Sequence, residues 1–329
     1  NENVGPERTA EWEFGADASL LNGRLGIEAT FYSTTTTDAL VPVTYPPSQG
    51  FLASRTENVG EISGKGYELY VTGVLLQSDA IEWRGRVSYS HNENEAKDLQ
   101  GQIISGDNKA EVREGYAVPS YFGRVITNPN DFADPVVETS AYIGPVNPTD
   151  LIGIGTDFTL FRNWTVDLLM EYQGGHYLPQ YTGYQNGRRG VWYPCYDIQA
   201  KIVAYENGDA GALNDVTAQE RGKCAMNAFG GANSDYWVES ADFWKLRSVS
   251  LTYDVPQQWV QSFANRMTVT ASASNLFIWT DYSGVDPEVE DFADRAEYGV
   301  YDGAADYGRR EYYNLPAPRT FLLTFRMGF

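Results

Sequence analysis

The sequence predicts an all-β fold, an antiparallel segment of a transmembrane β-barrel with short periplasmic turns and long extracellular loops. Apolar and polar residues alternate with a period of two along about nine stretches of the chain. The connections between these stretches are alternately short and long, as in membrane barrels. No window of about 20 apolar residues offers a membrane-spanning helix. Barrel strands hide their apolar face in the alternation, so a mean hydropathy of −0.40 does not exclude a membrane protein.

The first four strands are predicted as two hairpins. Asn22-Gly23 marks the tight turn of the first hairpin, and Gln77-Ser78-Asp79 marks that of the second. A proline-rich loop from Val41 to Arg55 is expected between them. Side chains alternate between the two faces of a strand, so the apolar residues of each strand share one face. These residues are Trp12, Phe14, Ala16, Ala18 and Leu20; Leu25, Ile27, Ala29 and Phe31; Tyr67, Leu69 and Val71; and Ile81, Trp83, Val87 and Tyr89.

Two more strands are expected after a long irregular region, roughly Asn92 to Asp150, in which residues 121–125 suggest a short hairpin. Arg162-Asn163 forms a minimal turn between these two strands. The longest loop follows, from about Gly174 to Ser240, and contains both cysteines. The apolar faces of the two strands are Ile152, Ile154, Phe158 and Leu160, and Trp164, Val166, Leu168, Met170 and Tyr172.

The next strand, Phe243 to Tyr253, breaks the alternation. Lys245 and Arg247 have the same parity as Val249 and Leu251. We therefore expect a β-bulge in this strand, or an upper end that stands above the lipid. The strand after it carries its apolar residues at Met267, Val269, Ala271, Ala273 and Phe277.

The closing strand covers residues 319–329 and follows an acidic, tyrosine-rich loop. It ends on an aromatic residue, which suits a position at the membrane–water boundary. Its alternate apolar residues are candidates for a C-terminal signal that the barrel-assembly machinery recognises. They are Phe321, Leu323, Phe325, Met327 and Phe329.

An odd number of strands indicates an incomplete barrel. If nine strands closed on themselves, the first and last would be parallel neighbours, whereas bacterial single-chain barrels have an even number of antiparallel strands. We therefore expect the chain to be part of a larger barrel, surrounded by outer-membrane lipid. The polar faces of its strands would line a water-filled lumen. Their charged residues are Glu11, Glu13, Asp17, Glu28, Glu82, Arg84, Arg86, Asp167, Glu171 and Arg326.

The residue inventory argues against several classes of function. A net charge of −20 argues against nucleic acid as a partner and against basic patches for anionic lipid headgroups. His91 and His176 are the only histidines and lie far apart in sequence, which argues against a histidine-based metal cluster. The sequence contains neither a Gly-x-Ser-x-Gly elbow nor a phosphate-binding loop. We expect no enzymatic activity and no cofactor.

The longest loop offers a disulfide and a group of aromatic residues. Its position outside the cell favours a bridge between Cys195 and Cys224, and two unpaired thiols are the alternative. Aromatic rings at a pore mouth could stack on sugars or contact peptide side chains. Loop packing or an interfacial girdle is the competing and favoured interpretation. The candidate ligand contacts are Trp192, Tyr193, Tyr196, Tyr236 and Trp237.

The acidic loop before the closing strand offers hard oxygen ligands for Ca²⁺. Its carboxylates lack the spacing of a known calcium-binding loop, so a solvated acidic surface is the favoured interpretation and no metal is predicted. The weak Ca²⁺ candidates are Asp286, Glu288, Glu290 and Asp291.

Two long segments carry a family resemblance: Asp242-Phe243-Trp244-Lys245-Leu246-Arg247-Ser248-Val249-Ser250-Leu251-Thr252-Tyr253, and Ser274-Asn275-Leu276-Phe277-Ile278-Trp279-Thr280-Asp281-Tyr282-Ser283-Gly284 with Asp286-Pro287-Glu288. Shorter segments fit in the same order: Pro6-Glu7, Asn58-Val59-Gly60, Gly66-Tyr67-Glu68, Tyr142-Ile143-Gly144, Pro318-Arg319-Thr320 and Phe329. Together they resemble barrel landmarks of the SusC/RagA-type TonB-dependent outer-membrane transporters, over essentially the whole chain.

The resemblance implies a barrel of about 22 strands with an N-terminal plug in its lumen. It also implies import powered by the TonB complex of the inner membrane, and a SusD-like surface lipoprotein that captures glycans or peptides. The sequence carries no signal peptide, plug or TonB-contacting segment. We therefore expect residues 1–329 to be the C-terminal barrel portion of such a receptor, located in the outer membrane.

The predicted function is active import of oligosaccharides, glycans or peptides that are too large for passive porins. One alternative is a non-transporting barrel fragment whose loops only bind partners. A second is a secreted β-rich carbohydrate-binding protein or glycosidase, which would be a water-soluble monomer, whereas a barrel segment would need detergent.

Overall fold

The computed structural model describes residues 4–43, 45–50, 55–106, 109–129, 136–225, 234–288, 291–292 and 309–329. Its main feature is one antiparallel sheet of nine strands whose spatial order follows the chain, which confirms the predicted architecture. The strands are β1 (Arg8–Leu20), β2 (Leu25–Val43), β3 (Arg55–Gln77), β4 (Ile81–Asp98), β5 (Asp150–Leu160), β6 (Trp164–Gly174), β7 (Phe243–Val255), β8 (Arg266–Thr280) and β9 (Thr320–Gly328).

The sheet is open, with β1 and β9 as its two edges. The short connections all lie at one end of the strands, and the longer loops lie at the other end. The short connections are residues 21–24, 78–80, 161–163 and 256–265. Because open sheet edges do not occur in the hydrocarbon region, these strands form part of a larger wall. None of the described helices is long and apolar enough to cross a membrane.

The predicted apolar residues share one face of the sheet, which we call the outward face. The cross-strand register aligns Val71, Val87, Ile154, Met170 and Leu246 in one row. Aromatic residues flank this row on both sides, as at the two interfaces of a membrane barrel. The loop-side aromatic row contains Tyr89, Tyr172, Trp244 and Trp279, and the turn-side aromatic row contains Trp164, Tyr253 and Phe325.

β7 contains the predicted bulge. The adjacent β6 residues Leu169 and Met170 pair with Ser248 and Leu246, so Arg247 is an extra residue relative to β6. Lys245 therefore lies opposite Glu171 on the inner face, and Arg247 also reaches Glu171. The bulge lets the apolar residues before and after it stay on the outward face.

The strands next to the long loops extend further than predicted. β2 continues to Val43 and β4 to Asp98, so the predicted loop from Val41 and the irregular region from Asn92 both begin too early. Above the membrane, both faces of a strand meet water or loops. The alternation that marks a lipid-facing strand is lost there although the backbone pairing continues.

The long loops contain short elements of their own. Residues 120–126 form one strand that pairs with residues 137–145, so the residues expected to form a short hairpin, 121–125, provide only one arm of a wider pair. Helices were not predicted. α3 begins with a capping box formed by Thr217 and Glu220, a local signal that needs no long amphipathic pattern. The helices are α1 (Tyr181–Arg188), α2 (Tyr196–Glu206), α3 (Ala218–Cys224) and α4 (Gln257–Val260), with 3₁₀ turns at Pro47–Gln49, Tyr193–Cys195 and Ser234–Trp237. The short strands are Ile104–Ser105, Ala110–Val112, Ser120–Ile126, Val137–Pro145, Tyr177–Pro179, Val238–Ser240, Asp291–Phe292 and Arg309–Arg310.

Candidate functional site

The loops after β4, β6 and β8 pack together at the end of the strands opposite the short turns. We call the described parts of residues 99–149, 175–242 and 281–319 the outer-loop layer. The Tyr121 hydroxyl donates to the Arg309 carbonyl at 2.6 Å. The Tyr181 backbone N–H donates to the Glu311 carbonyl at 2.9 Å, and the Thr182 hydroxyl donates to the Glu311 carboxylate at 2.7 Å. Most buried apolar side chains lie in this layer, so it has a core of its own.

A buried ion pair joins two of these loops. The Asp235 carboxylate lies 3.0 Å from Arg124 Nε and 3.3 Å from Lys109 Nζ. Burial alone would raise the pKa of Asp235, but the hydrogen bonds from Arg124 and the charge of Lys109 lower it. Asp235 therefore stays ionised and holds the loop after β4 against the loop after β6.

The two cysteines form a disulfide within this layer, with an S–S distance of 1.96 Å and a Cα–Cα distance of 5.3 Å. Cys195 and Cys224 pack with Tyr184 and Trp237 in one apolar cluster. Trp237 is only 2% exposed and Tyr236 only 1%. For these two residues the structure agrees with loop packing, the favoured interpretation, and their burial argues against contact with a ligand.

The other three aromatic candidates differ in exposure. Trp192 packs partly against the same cluster, with its ring 6.3 Å from that of Trp237. Tyr193 is 80% exposed and Tyr196 is 47% exposed. Tyr193 begins the 3₁₀ turn that precedes α2, and Tyr196 is the first residue of α2, which has no buried residues. They remain candidates for contact with a ligand.

A network of charges lies at the base of the outer-loop layer, around a lysine that is 4% exposed. Lys245 Nζ lies 2.9 Å from the Asp286 carboxylate and 2.6 Å from that of Glu288. Arg247 also donates to Glu288 and, at 2.5 Å, to Glu171. Burial alone would raise the pKa of Glu288, but the hydrogen bonds from Arg247 and Lys245 lower it to about 2.

This network argues against the weak Ca²⁺ candidates Asp286 and Glu288, because their carboxylates are neutralised by side-chain cations. The structure also corrects the favoured interpretation, a solvated acidic surface, for Asp286, which is buried. Glu290 and the side chain of Asp291 lie outside the described part of the structure. Among the residues that are described, no group of three or more His, Cys, Asp or Glu side chains could hold a metal ion.

The charge network also connects the two long segments that carried the family resemblance. Lys245 and Arg247 belong to the first segment, and Asp286 and Glu288 belong to the second. Sequence reasoning identified each segment and missed the contact between them. The parity break at the two cations was the available signal, since charges at positions otherwise expected to face lipid need anionic partners elsewhere.

The charged residues predicted to face the lumen all lie on the inner face, opposite the outward face. On the β4–β5 part of this face, Arg86 forms an ion pair with Asp157 at 3.0 Å. On the β1–β2 part, Asp17 and Glu28 lie directly opposite each other. The inner face is thus mainly polar, with Leu151, Leu169 and Leu322 among its apolar exceptions, and it is locally acidic near β1.

Comparisons with known proteins agree with this architecture. The sequence matches the TonB dependent receptor-like, beta-barrel family over residues 1–276. It is 24% identical to TonB-dependent receptor P26 of Formosa agariphila, over 100% of this chain and 35% of that protein. It is also 24% identical to TonB-dependent receptor SusC of Bacteroides thetaiotaomicron, over 91% of this chain and 31% of that protein.

A solved structure of the RagAB peptide transporter has the same fold. It aligns with a TM-score of 0.67 at 19% identity, over 98% of this chain and 35% of that chain. This chain spans about a third of the length of the curated relatives it matches. The matching family is one of receptors rather than enzymes, and its barrels lie in the outer membrane. With a family match over most of its length and nine antiparallel strands of the expected kind, the chain belongs to the TonB-dependent receptor-like β-barrel family.

Proposed function

We propose that this chain supplies the C-terminal barrel strands and outer loops of a TonB-dependent importer in the outer membrane. The cargo would be an oligosaccharide, a glycan or a peptide. The observation that carries the proposal is the inner face, which is mainly polar along the strands and lies beside loops that have their own core. Such a face suits a water-filled passage for a hydrophilic solute.

We also propose the partners of the complete receptor. A SusD-like surface lipoprotein would deliver the cargo, and the TonB complex would act through a region outside this chain. The relative SusC and the RagAB peptide transporter support this assignment by analogy. The barrel-assembly machinery would recognise β9 through its alternate apolar residues, which are Phe321, Leu323, Phe325, Met327 and Phe329.

The exposed rings of Tyr193 and Tyr196 are the proposed contacts for cargo. Aromatic faces stack on sugar rings and also pack against peptide side chains, so they suit both classes of cargo. The structural neighbour is named as a peptide transporter. Peptides and oligosaccharides therefore both belong in the test.

The test is a deletion of the complete reading frame, followed by growth on oligosaccharides or on peptides as the sole carbon source. We expect growth to fail on one class and to return when the full gene is restored. Restoration should fail when TonB is inactivated, because import needs energy from the inner membrane. Unchanged growth on every substrate, or uptake independent of TonB, would contradict the proposal.

Cell fractionation separates the two alternatives. A secreted carbohydrate-binding protein or glycosidase would appear in the soluble fraction without detergent. A non-transporting barrel would fractionate with the outer membrane and leave uptake unchanged after deletion.

A further inference from the structure

Two of the short turns combine an exposed apolar residue with a left-handed backbone. Leu21, between β1 and β2, is 70% exposed and has a φ of 54°. Phe161, between β5 and β6, is 68% exposed and has a φ of 50°. We call these two residues the turn tips. Because the short turns of an outer-membrane barrel face the periplasm, both turn tips lie on that side of the membrane.

The backbone conformation at the turn tips is unfavourable for leucine and phenylalanine. In the left-handed region the Cβ atom approaches the following carbonyl oxygen, and glycine and asparagine tolerate this region best. Hairpin turns therefore favour Asn, Asp or Gly at such positions. The neighbouring residues Asn22 and Gly23 follow this preference, with φ values of 56° and 82°. Large apolar side chains in the same conformation indicate a compensating contact outside the chain.

The strand register places Phe161 at the level of the lipid headgroups. Leu160 and Trp164 pair with each other on the outward face, and Trp164 belongs to the turn-side aromatic row. Phe161 directly follows Leu160, so it lies roughly 3.4 Å beyond that row along the chain. Aromatic belts mark the membrane–water interface, and the headgroup layer on each side is about 5–7 Å thick. Phe161 therefore lies within this layer and continues the surface that meets lipid.

Leu21 has the corresponding position in the first hairpin. Leu20 and Leu25 form the last pair of β1 and β2, and both have the parity of the outward residues. Leu20 is itself exposed. Leu21 directly follows it, so this turn tip also extends the apolar outward face by one residue.

An arginine accompanies each turn tip. Arg24 is exposed in the same turn as Leu21, and Arg162 directly follows Phe161. The side chain of Arg162 is 78% exposed and lies 3.2 Å from that of Asp79 in the neighbouring turn. A guanidinium has five N–H donors, more than this pair uses. An apolar side chain beside a guanidinium matches a phospholipid surface, where acyl chains lie next to phosphate groups.

We propose that the turn tips insert into the phospholipid leaflet on the periplasmic side and anchor their hairpins there. The apolar side chains contact the upper part of the acyl chains, and the adjacent arginines contact phosphates. This surface is distinct from the turn-side aromatic row because it is formed by turn residues with a left-handed backbone. The proposal requires a barrel in the membrane and does not depend on import.

The first test measures urea unfolding of the full receptor in phospholipid vesicles, with the variants Leu21→Asn and Phe161→Asn. Asparagine suits a left-handed backbone, so in water both substitutions would stabilise the fold. Loss of lipid contact acts in the opposite direction, and we expect the equilibrium constant for unfolding to rise about threefold to tenfold. The control, Gln100→Asn, changes another exposed left-handed residue, with a φ of 52°, in the outer-loop layer. It should leave the constant unchanged or lower it. An unchanged or lower constant in the turn-tip variants would overturn the proposal.

The second test locates the turn tips directly. A nitroxide is attached through Leu21→Cys or Phe161→Cys, and its collisions with oxygen and with a water-soluble nickel chelate are measured in the same vesicles. Both labels should collide more with oxygen, which concentrates in the bilayer, than a control label at Asp79→Cys, whose side chain is fully exposed in the neighbouring turn. The vesicles contain no periplasmic protein, so protection from nickel would be due to lipid. Equal nickel access at all three positions would overturn the proposal. Heat-modifiable migration on gels verifies that each variant is folded.

Discussion

The nine-stranded wall and the outer-loop layer are stabilised in different ways. On the wall, large apolar side chains stay open on the outward face; Trp12 is 71% exposed and Phe14 is 66% exposed. The strands are joined by their backbone ladders. The outer-loop layer instead buries apolar residues such as Trp237, together with the ionised Asp235. The wall is therefore stabilised by lipid and by neighbouring strands, whereas the layer is stabilised by contacts between its own residues.

The largest expected effect lies at the junction of the two regions. Lys245→Ala would leave the buried Asp286 carboxylate without its cation. Removing one member of a buried ion pair typically costs about 3–5 kcal/mol. We expect a loss of this size in the free energy of unfolding, measured by denaturant titration of the full receptor in lipid vesicles. Lys201→Ala, at an exposed pair, should leave stability unchanged. A loss below about 1 kcal/mol for Lys245→Ala would show that the network does not hold the layer to the wall.

The second effect should be confined to the layer. The double variant Cys195→Ala/Cys224→Ala removes a bridge across a sequence separation of 29. The chain-entropy account assigns about 3–4 kcal/mol to a loop of this size. Cleavage within the layer by native-state proteolysis should then accelerate by roughly two to three orders of magnitude. The wall should keep its heat-modifiable migration. Equal cleavage rates with and without the bridge would contradict this assignment.

A third variant tests the wall alone. Val87 lies on the outward face in the row between the two aromatic rows, and the adjacent Ser88 lies on the inner face. An arginine on the lipid face near the midplane costs about 2–4 kcal/mol, whereas lumen positions tolerate charge. We expect Val87→Arg to lose this much unfolding free energy in vesicles and Ser88→Arg to lose far less. Equal losses would mean that the two faces are not in different solvents.

The difference between the wall and the outer-loop layer also explains which parts of the fold could be predicted from the sequence. The wall was predictable because lipid on one side and water on the other impose a two-residue period, visible even at the β7 bulge through Lys245 and Arg247. The outer-loop layer was not, since its core joins residues far apart in the chain. Tyr121 donates a hydrogen bond to the Arg309 backbone, and Thr182 donates one to Glu311. No periodic pattern in the sequence indicates either contact. For the same reason composition alone could not tell the buried Trp237 from the exposed Tyr193.

The pH response of the layer should follow His176, which is buried and lies just beyond β6. Burial, together with the charge of Arg309, lowers the pKa of His176 to about 4. The unfolded chain takes up this proton near its ordinary pKa of about 6.5, so stability falls as the pH drops from about 6.5 to about 4. The loss should be about 3 kcal/mol and should stop below that window. Tryptophan fluorescence during denaturant unfolding gives the measurement. His176→Gln should lack this component, and an identical pH profile in the variant would contradict the assignment.

The smallest expected effect separates ligand contact from packing. Tyr193 is 80% exposed, so Tyr193→Ala should change the unfolding free energy by less than about 0.5 kcal/mol. As a matched aromatic control, replacing the buried Trp237 by alanine should lower the free energy of unfolding by about 3–5 kcal/mol. If Tyr193 stacks on cargo, its removal should raise the KM of uptake about threefold to tenfold, because such contacts contribute about 0.5–1.5 kcal/mol. Unchanged uptake in a stably folded Tyr193→Ala receptor would show that this ring does not contact cargo.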